Sequence, residues 1–303
     1  MHARVLRYLD EVVRCGSIRK AAEKLHVAPT AINRQILELE QSLGTPLFER
    51  IHKRLRLTPL GEMVLGHVRQ TLREHQLLLS RVEEYKGVHR GEVSLAVTAG
   101  LAGSLIPPLA HAFRRSHPGI VLRIADLPVA AITAAVDAGT ADLGLAYLSP
   151  GPRALRVLAS SEWKVGAVVA PGHPLAGLAN SQLADCLGSP LILPAPSLSL
   201  RALLDASAAQ AGVELRPAIE ASSTALVRRL VALGAGLTFL NPLDVIEERA
   251  RGTLIYVPLR DESLAPQTLQ LVARAGGGAL SEAARQFADA VAEGMAQRFG
   301  CAG

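Results

Sequence analysis

The chain has 303 residues, 49% hydrophobic and 19% charged, which suits a soluble globular protein of two or three domains and excludes a disordered or fibrous one. Its formal charge of +5 is uneven: residues 1–90 carry 16 Lys and Arg against 10 Asp and Glu, so a polyanion is expected to bind there. No apolar run is long enough to span a membrane, and Arg4, Arg7, Asp10, Glu11 and Arg14 interrupt any secretory leader, so a cytoplasmic location is expected.

The first helix is expected over residues 2–15, with Val5, Leu6, Leu9, Val12 and Val13 inward and Gly16 as its stop. A short amphipathic helix follows over 18–25, with Ser17 as N-cap and Ala21 and Ala22 where another helix must approach closely. His26-Val27-Ala28 only redirects the chain, and Pro29 suits the first position of a new helix. In that helix Ile32, Ile36, Leu39 and Leu43 recur at helical spacing and should face inward. The opposite face carries Thr30, Asn33, Arg34 and Gln35, the polar side chains of a DNA recognition helix. Gly44 breaks the pattern, and residues 45–58 read as a two-stranded wing with Arg50, His52, Lys53, Arg54 and Arg56 near its tip. Such a cluster clamps phosphates or enters a minor groove, with Arg50 or Arg54 the better placed. Residues 59–85 form one long helix in which Leu65, Val68, Leu72, His75, Leu79 and Val82 follow the 3/4 spacing of a coiled-coil seam. The same apolar positions could instead pack on their own domain.

The ordered string LHVAPTAINRQILELEQSLGTPLFER, followed by LTPLGE, resembles the N-terminal signature of LysR-type transcriptional regulators. Pro29 and Asn33 depart from the residues usual at those two positions and put inherited base preferences in question. The resemblance implies a winged helix-turn-helix over 1–58, a dimerisation helix over 59–86 and an effector domain over 87–303.

Residues 87–91 are a hinge-like linker, after which strands and helices alternate. Strands are expected at 92–98, 120–126 and 143–147, with helices at 104–116 and 130–138, an order that implies a parallel sheet covered on both faces. A second series begins near Lys164 and contains strands at 190–193, 218–221 and 236–240, with helices at 200–211 and 224–233. A strand at 268–273 and a helix at 281–299, with Ser281 as N-cap, return to the first series. The fold class is therefore α/β overall. The pattern resembles the two-lobed, periplasmic-binding-protein-like (type 2) effector domain of the same family, with lobe I about 91–163 and 267–303 and lobe II about 164–266.

In such a fold a small ligand sits between the lobes, against strand C-termini and helix N-termini. Thr98, Ala99, Gly100 and Ser104 form one candidate contact, Ser197 and Ser199 with Arg201 close behind a second, and Ser222 to Thr224 a third. Helix N–H groups and hydroxyls together favour an anion such as a carboxylate, although each Ser or Thr could simply be an N-cap. Carrying the family's cleft over adds Leu127, Pro128 and Tyr147 as an apolar wall.

No HExxH, GxSxG, GxGxxG or Walker sequence is present, the nine histidines lack ligand spacing, and the lone cysteines Cys15, Cys186 and Cys301 suggest neither zinc nor a disulfide framework. No cofactor, metal or catalytic residue is expected. A solute-binding transport protein or an enzyme could share the lobes, and the DNA-binding motif selects against both. The reading is an effector-modulated, sequence-specific transcriptional regulator. Its partners are double-stranded DNA with an interrupted palindrome, a small molecule such as an organic carboxylate, further copies of itself up to a homotetramer, and RNA polymerase as a further candidate.

Overall fold

The computed structural model describes residues 3–51, 54–85, 91–148, 155–196, 198–276 and 279–297. The chain divides into one compact unit holding residues 1–88 and another holding most of the remainder.

The first unit contains α1 (Ala3–Cys15), α2 (Ile18–Leu25), α3 (Pro29–Leu43), a hairpin of β1 (Phe48–Ile51) and β2 (Arg54–Leu57), and the long helix α4 (Pro59–Tyr85). Ser17 caps α2, its Oγ accepting from the Lys20 amide. His26 takes a left-handed φ of 53° to end that helix, and Pro29 opens the next. Tyr8, Val12, Ala21, Ala22, Ile32 and Ile36 close into one apolar cluster, and Leu6, Leu9, Leu39, Leu47 and Val68 into another. Leu43, expected inward, is instead 42% exposed, because it ends α3 just before Gly44 turns the chain.

The wing is tied to α3 by one carboxylate. Glu40 Oε1 accepts the amides of Leu47 (2.7 Å) and Phe48 (3.2 Å), the residues that lead into β1. The start of α4 closes on the same corner. Thr58 Oγ1 accepts the Gly61 amide at 3.0 Å and donates to the Pro46 carbonyl at 3.0 Å. A Cβ on Gly61 would lie 2.1 Å from the Leu47 carbonyl, so this close approach requires glycine.

The seam expected along α4 is spent partly on its own unit. Leu65 and Val68 are buried, Val68 and Leu72 packing into the cluster with Leu6 and Leu9 of α1. Buried Asp10 pairs with Arg69 at 2.7 Å and Arg14 at 2.9 Å, fixing α1 to α4. His75 is exposed, and the side chains of Leu79 and Val82 lie outside the described residues.

The second unit has two lobes. The first is a five-stranded sheet ordered β4 (Ile120–Asp126), β3 (Gly91–Val97), β5 (Leu143–Tyr147), β12 (Gln267–Arg274), β6 (Leu155–Trp163). It carries α5 (Ala99–Ala102), α6 (Ile106–Ser116), α7 (Val129–Ala138) and α12 (Glu282–Gln297). The second contains an antiparallel sheet of β10 (Thr238–Leu240), β7 (Gly166–Val169) and β11 (Ile255–Pro258), and a parallel pair, β8 (Leu191–Pro194) with β9 (Pro217–Ala221). Helices α8 (Leu183–Cys186), α9 (Ser199–Gln210), α10 (Thr224–Ala232) and α11 (Ile246–Ala250) complete it, α11 preceded by a turn of 3₁₀ helix, Pro242–Val245.

Three expectations change. The first sheet is mixed rather than parallel, because β12 returns from the second lobe and pairs antiparallel with both β5 and β6. The long strand β6 and the short β11 had no expectation at all. The helix expected over 104–116 starts two residues later, at Ile106 with Pro107 and Pro108 in its first turn, and a separate short helix, α5, precedes it with Ser104 buried between the two.

Glu40→Ala should destabilise the first unit by about 2 kcal/mol, since two amides lose their acceptor. Glu40→Gln, which keeps an acceptor oxygen, should recover much of the loss in urea unfolding followed by circular dichroism.

Candidate functional site

The candidate DNA-reading face lies on α3. Burial of Ile32, Ile36 and Leu39 on one side leaves Pro29, Thr30, Asn33 and Arg34 exposed together on the other, with Gln35 half-buried at the edge. Arg34 and Gln35 are not idle: both reach the same carboxylate, Glu38, at 3.6 Å and 2.5 Å. Ser17 sits apart from this face as the cap of α2. In the wing, Arg50 and Arg54 belong to β1 and β2, and Arg56 is exposed. The side chains of Arg50 and Arg54, and the whole of His52 and Lys53, lie outside the described residues.

In the second unit the parallel strands β3, β4 and β5 end on one edge. Thr98 continues β3 and donates its amide to the Leu145 carbonyl (3.3 Å), while the Leu127 amide reaches the Val97 carbonyl (3.0 Å). Thr98, Leu127 and Tyr147 are therefore grouped, each half-buried, with Pro128 exposed beside them. Thr98 precedes α5 without a side-chain capping bond, so its hydroxyl is not consumed as a cap. Ala99 and Gly100 open α5. Ser104 is fully buried and its Oγ accepts the Ile246 amide at 3.1 Å, so it joins the two lobes.

In the second lobe, Ser199 and Ser222 are exposed beyond the ends of β8 and β9, where Pro194 pairs with Ala221. Ser199 is the first residue of α9, Ser223 caps α10 by accepting the Leu226 amide (3.3 Å), and Thr224 follows half-buried. Among the described residues no hydrogen bond links Ser199 or Ser222 to the Thr98–Tyr147 group. Ser197 lies outside the described residues. Arg201 is engaged by Asp205, Glu220 and the Pro194 carbonyl, and Arg123 by Glu92.

The lobes also meet through residues that the sequence pattern did not single out. Asp244, buried in the 3₁₀ turn, lies so close to Gly100 that a Cβ there would stand 2.1 Å from its Oδ1. Its Oδ2 accepts the Asn241 amide at 3.3 Å. Arg228 of α10 donates to the Asp244 carbonyl (3.0 Å) and pairs with Glu248 (3.1 Å), and its guanidinium abuts Gly103. Asn241 Nδ2 donates to Gln267 Oε1 at 2.7 Å, joining the second lobe to β12. The Tyr147 hydroxyl is buried without a hydrogen-bond partner, and burial and the Asp244 charge both raise its pKa. The only sequence signal was an Asn-Pro-Leu-Asp turn, the N-cap and N3 pattern of a helix start, inside an apolar run.

Burial pushes the thiol of Cys186 up to about 11, and burial with the Glu11 hydrogen bond raises that of Cys15. Neither is the thiolate that oxidation requires. Cys301 lies outside the described residues.

Burial also lifts Asp244 from 3.8 to about 7. The folded unit then holds a proton that the unfolded chain has already released, so the stabilisation is full below the unfolded pKa and is lost as pH rises through the folded one. Urea unfolding of the second unit should weaken between about pH 4 and 7, and Asp244→Asn should flatten that slope. An unchanged slope would place Asp244 in a solvated, ionised state.

Residues 3–62 match the model of the bacterial regulatory helix-turn-helix proteins of the lysR family, and residues 86–296 match the LysR substrate binding domain. The chain is 30% identical over 262 residues to the transcriptional dual regulator GltC of Bacillus subtilis (strain 168), covering 86% of each. It is 25% identical over 300 residues to the DNA-binding transcriptional dual regulator OxyR of Escherichia coli (strain K12), covering 99% of this chain and 97% of that one. A full-length OxyR variant from Pseudomonas aeruginosa superposes with a TM-score of 0.74 at 20% identity, covering 96% and 94%. The chain belongs to the LysR-type family of transcriptional regulators, a winged helix-turn-helix followed by a two-lobed effector domain.

Proposed function

We propose that the chain reads an interrupted palindromic operator in the cytoplasm through the exposed face of α3, and that a small organic carboxylate between the lobes modulates the outcome. The observation that carries the first half is the two-sidedness of α3: Ile32, Ile36 and Leu39 are buried while Thr30, Asn33 and Arg34 are exposed. Arg34 suits guanine, Asn33 and Gln35 suit adenine, and Pro29 and Thr30 suit apolar or hydroxyl contacts at base edges. Arg50, Lys53 and Arg54 of the wing, with Ser17 at the start of α2, supply backbone contacts that fix register.

The effector half rests on the edge where β3, β4 and β5 end, with the Thr98 hydroxyl free of capping. We assign the second wall to Ser199, Ser222 and Thr224, with Ser197 added from the sequence pattern alone, and the starts of α9 and α10 would favour an anion. Closure on the effector shifts the balance of lobe arrangements by the difference in affinity for each. Among the described residues no base is hydrogen-bonded to these hydroxyls, which favours a binding site over a catalytic one. Assembly to a dimer, and to a homotetramer contacting RNA polymerase, would use the face of α4 left free by α1. That face exposes Met63 (71%) and Leu78 (59%), about four turns apart.

Arg34→Ala should weaken operator binding about tenfold or more in gel-shift titrations with a nonspecific competitor, with unfolding unchanged because the side chain is exposed. Retained affinity would remove Arg34 from the base-reading set. Thr98→Ala should leave DNA affinity intact. In thermal unfolding against a panel of small aromatic and aliphatic carboxylates, a ligand at 100 times its Kd should add about 2.7 kcal/mol to the parent chain and much less to the variant. Equal loss of DNA binding in Thr98→Ala would argue against a separate sensing site.

A further inference from the structure

Glu38 is an acidic side chain on a face that must approach a polyanion. It lies one turn beyond Arg34 on α3, with the two side chains 55% and 74% exposed. One carboxylate oxygen faces Arg34 Nε at 3.6 Å, and the other accepts Gln35 Nε2 at 2.5 Å. In water such exposed contacts contribute little to stability, so they do not explain the residue as a helix staple.

Its two partners explain it better. Engaging Arg34 through Nε leaves the terminal Nη fork free, and that fork is the part that spans O6 and N7 of guanine. Taking one N–H of Gln35 fixes the amide plane while its Oε1 and second N–H remain free for a base edge. The carboxylate also repels phosphate oxygens, a term that acts on every DNA sequence alike. Such a uniform term lowers affinity without changing the ratio between sequences. Discrimination is a difference of affinities, so it comes from the two contacts that set Arg34 and Gln35.

We propose that Glu38 is a specificity-determining positioning residue, which sets the Arg34 fork and the Gln35 amide for base reading while lowering affinity for DNA of any sequence. The inference rests on α3 being the DNA-reading element.

The test uses the full chain and a duplex enriched by it from a random-sequence library, with a scrambled duplex of equal length as reference. Affinities are measured by fluorescence anisotropy across a salt series. Glu38→Gln should bind the scrambled duplex several-fold more tightly, with a salt slope steeper by roughly one, while the ratio of enriched to scrambled affinity falls about tenfold. In an Arg34→Ala, Gln35→Ala background, Glu38→Gln should still tighten scrambled binding but leave the ratio unchanged. A ratio unaffected by Glu38→Gln in the parent chain overturns the proposal. So does a ratio that still falls without Arg34 and Gln35, because Glu38 would then be reading a base itself. Failure to enrich any sequence overturns the DNA-reading face and the role of Glu38 with it. Enrichment with an inert Glu38→Gln overturns only the latter.

Discussion

The constraint on which the DNA-reading unit depends is that α3 must bury one face completely and expose the other. Ile32 is fully buried and Ile36 and Leu39 nearly so, the two isoleucines packed with Val12, Ala21 and Ala22 of α1 and α2 and Leu39 with Leu6 and Leu9 of α1. The paired alanines matter because a larger side chain at either would push α2 away and rotate the exposed face of α3. Glu40 then extends the constraint to the wing, and Thr58 with Gly61 extends it to α4. A single apolar stripe on a fifteen-residue helix therefore ties together the hairpin and the long helix, which is how a short element comes to hold its exposed face in a fixed orientation.

Much of this was legible because it is local. The helical period, the small residues, the N1 proline and the terminal glycine are all written within a few positions of where they act. The helices over Pro29–Leu43 and Pro59–Tyr85 follow from such signals. The seam along α4 was less legible, since 3/4 spacing serves an intramolecular partner as well as a second chain. Leu65 and Val68 are buried in the former way, and the pattern alone could not choose. The strands at the centre of the first lobe, Val93 to Val97 and Leu143 to Ala146, are nearly continuous in apolar character because both faces are covered. Strand β6 lacks that signature: only Trp163 at its end is buried, so neither an apolar run nor a strict alternation marks it. Its antiparallel pairing depends on β12, more than a hundred residues later, and no local pattern encodes that.

The candidate cleft divides along the same line. Hydroxyls that follow strands could be named from sequence, but their use could not. Ser104 and Ser223 spend their oxygens on backbone amides, Ile246 in one case and Leu226 in the other, whereas Thr98 does not. Asp244 and Arg228 were invisible because a carboxylate and a guanidinium read from sequence as solvated. Their roles come from the 3₁₀ turn and α10 converging on α5, which brings Gly100 and Gly103 against them. The Gly100 contact leaves a Cβ only 2.1 Å from Asp244 Oδ1, so the two lobes are matched in shape as well as in hydrogen bonding.

That match bears on how a signal could leave the cleft. A buried carboxyl whose own oxygens receive one backbone amide, and whose neighbouring arginine is held by Glu248 and a carbonyl, is a costly thing to keep in a core. A hydrocarbon at position 244 would pack more simply there. What the polar group adds is a seam that is neither fully satisfied nor fully apolar, and the unpartnered Tyr147 hydroxyl beside it has the same character. Such a seam holds one lobe arrangement by a modest margin, so a small ligand bound nearby can outweigh it. The population of lobe arrangements shifts only by a ligand's differential affinity for them. The polar defect at Asp244 is therefore consistent with sensing in a way that a better-packed core would not be.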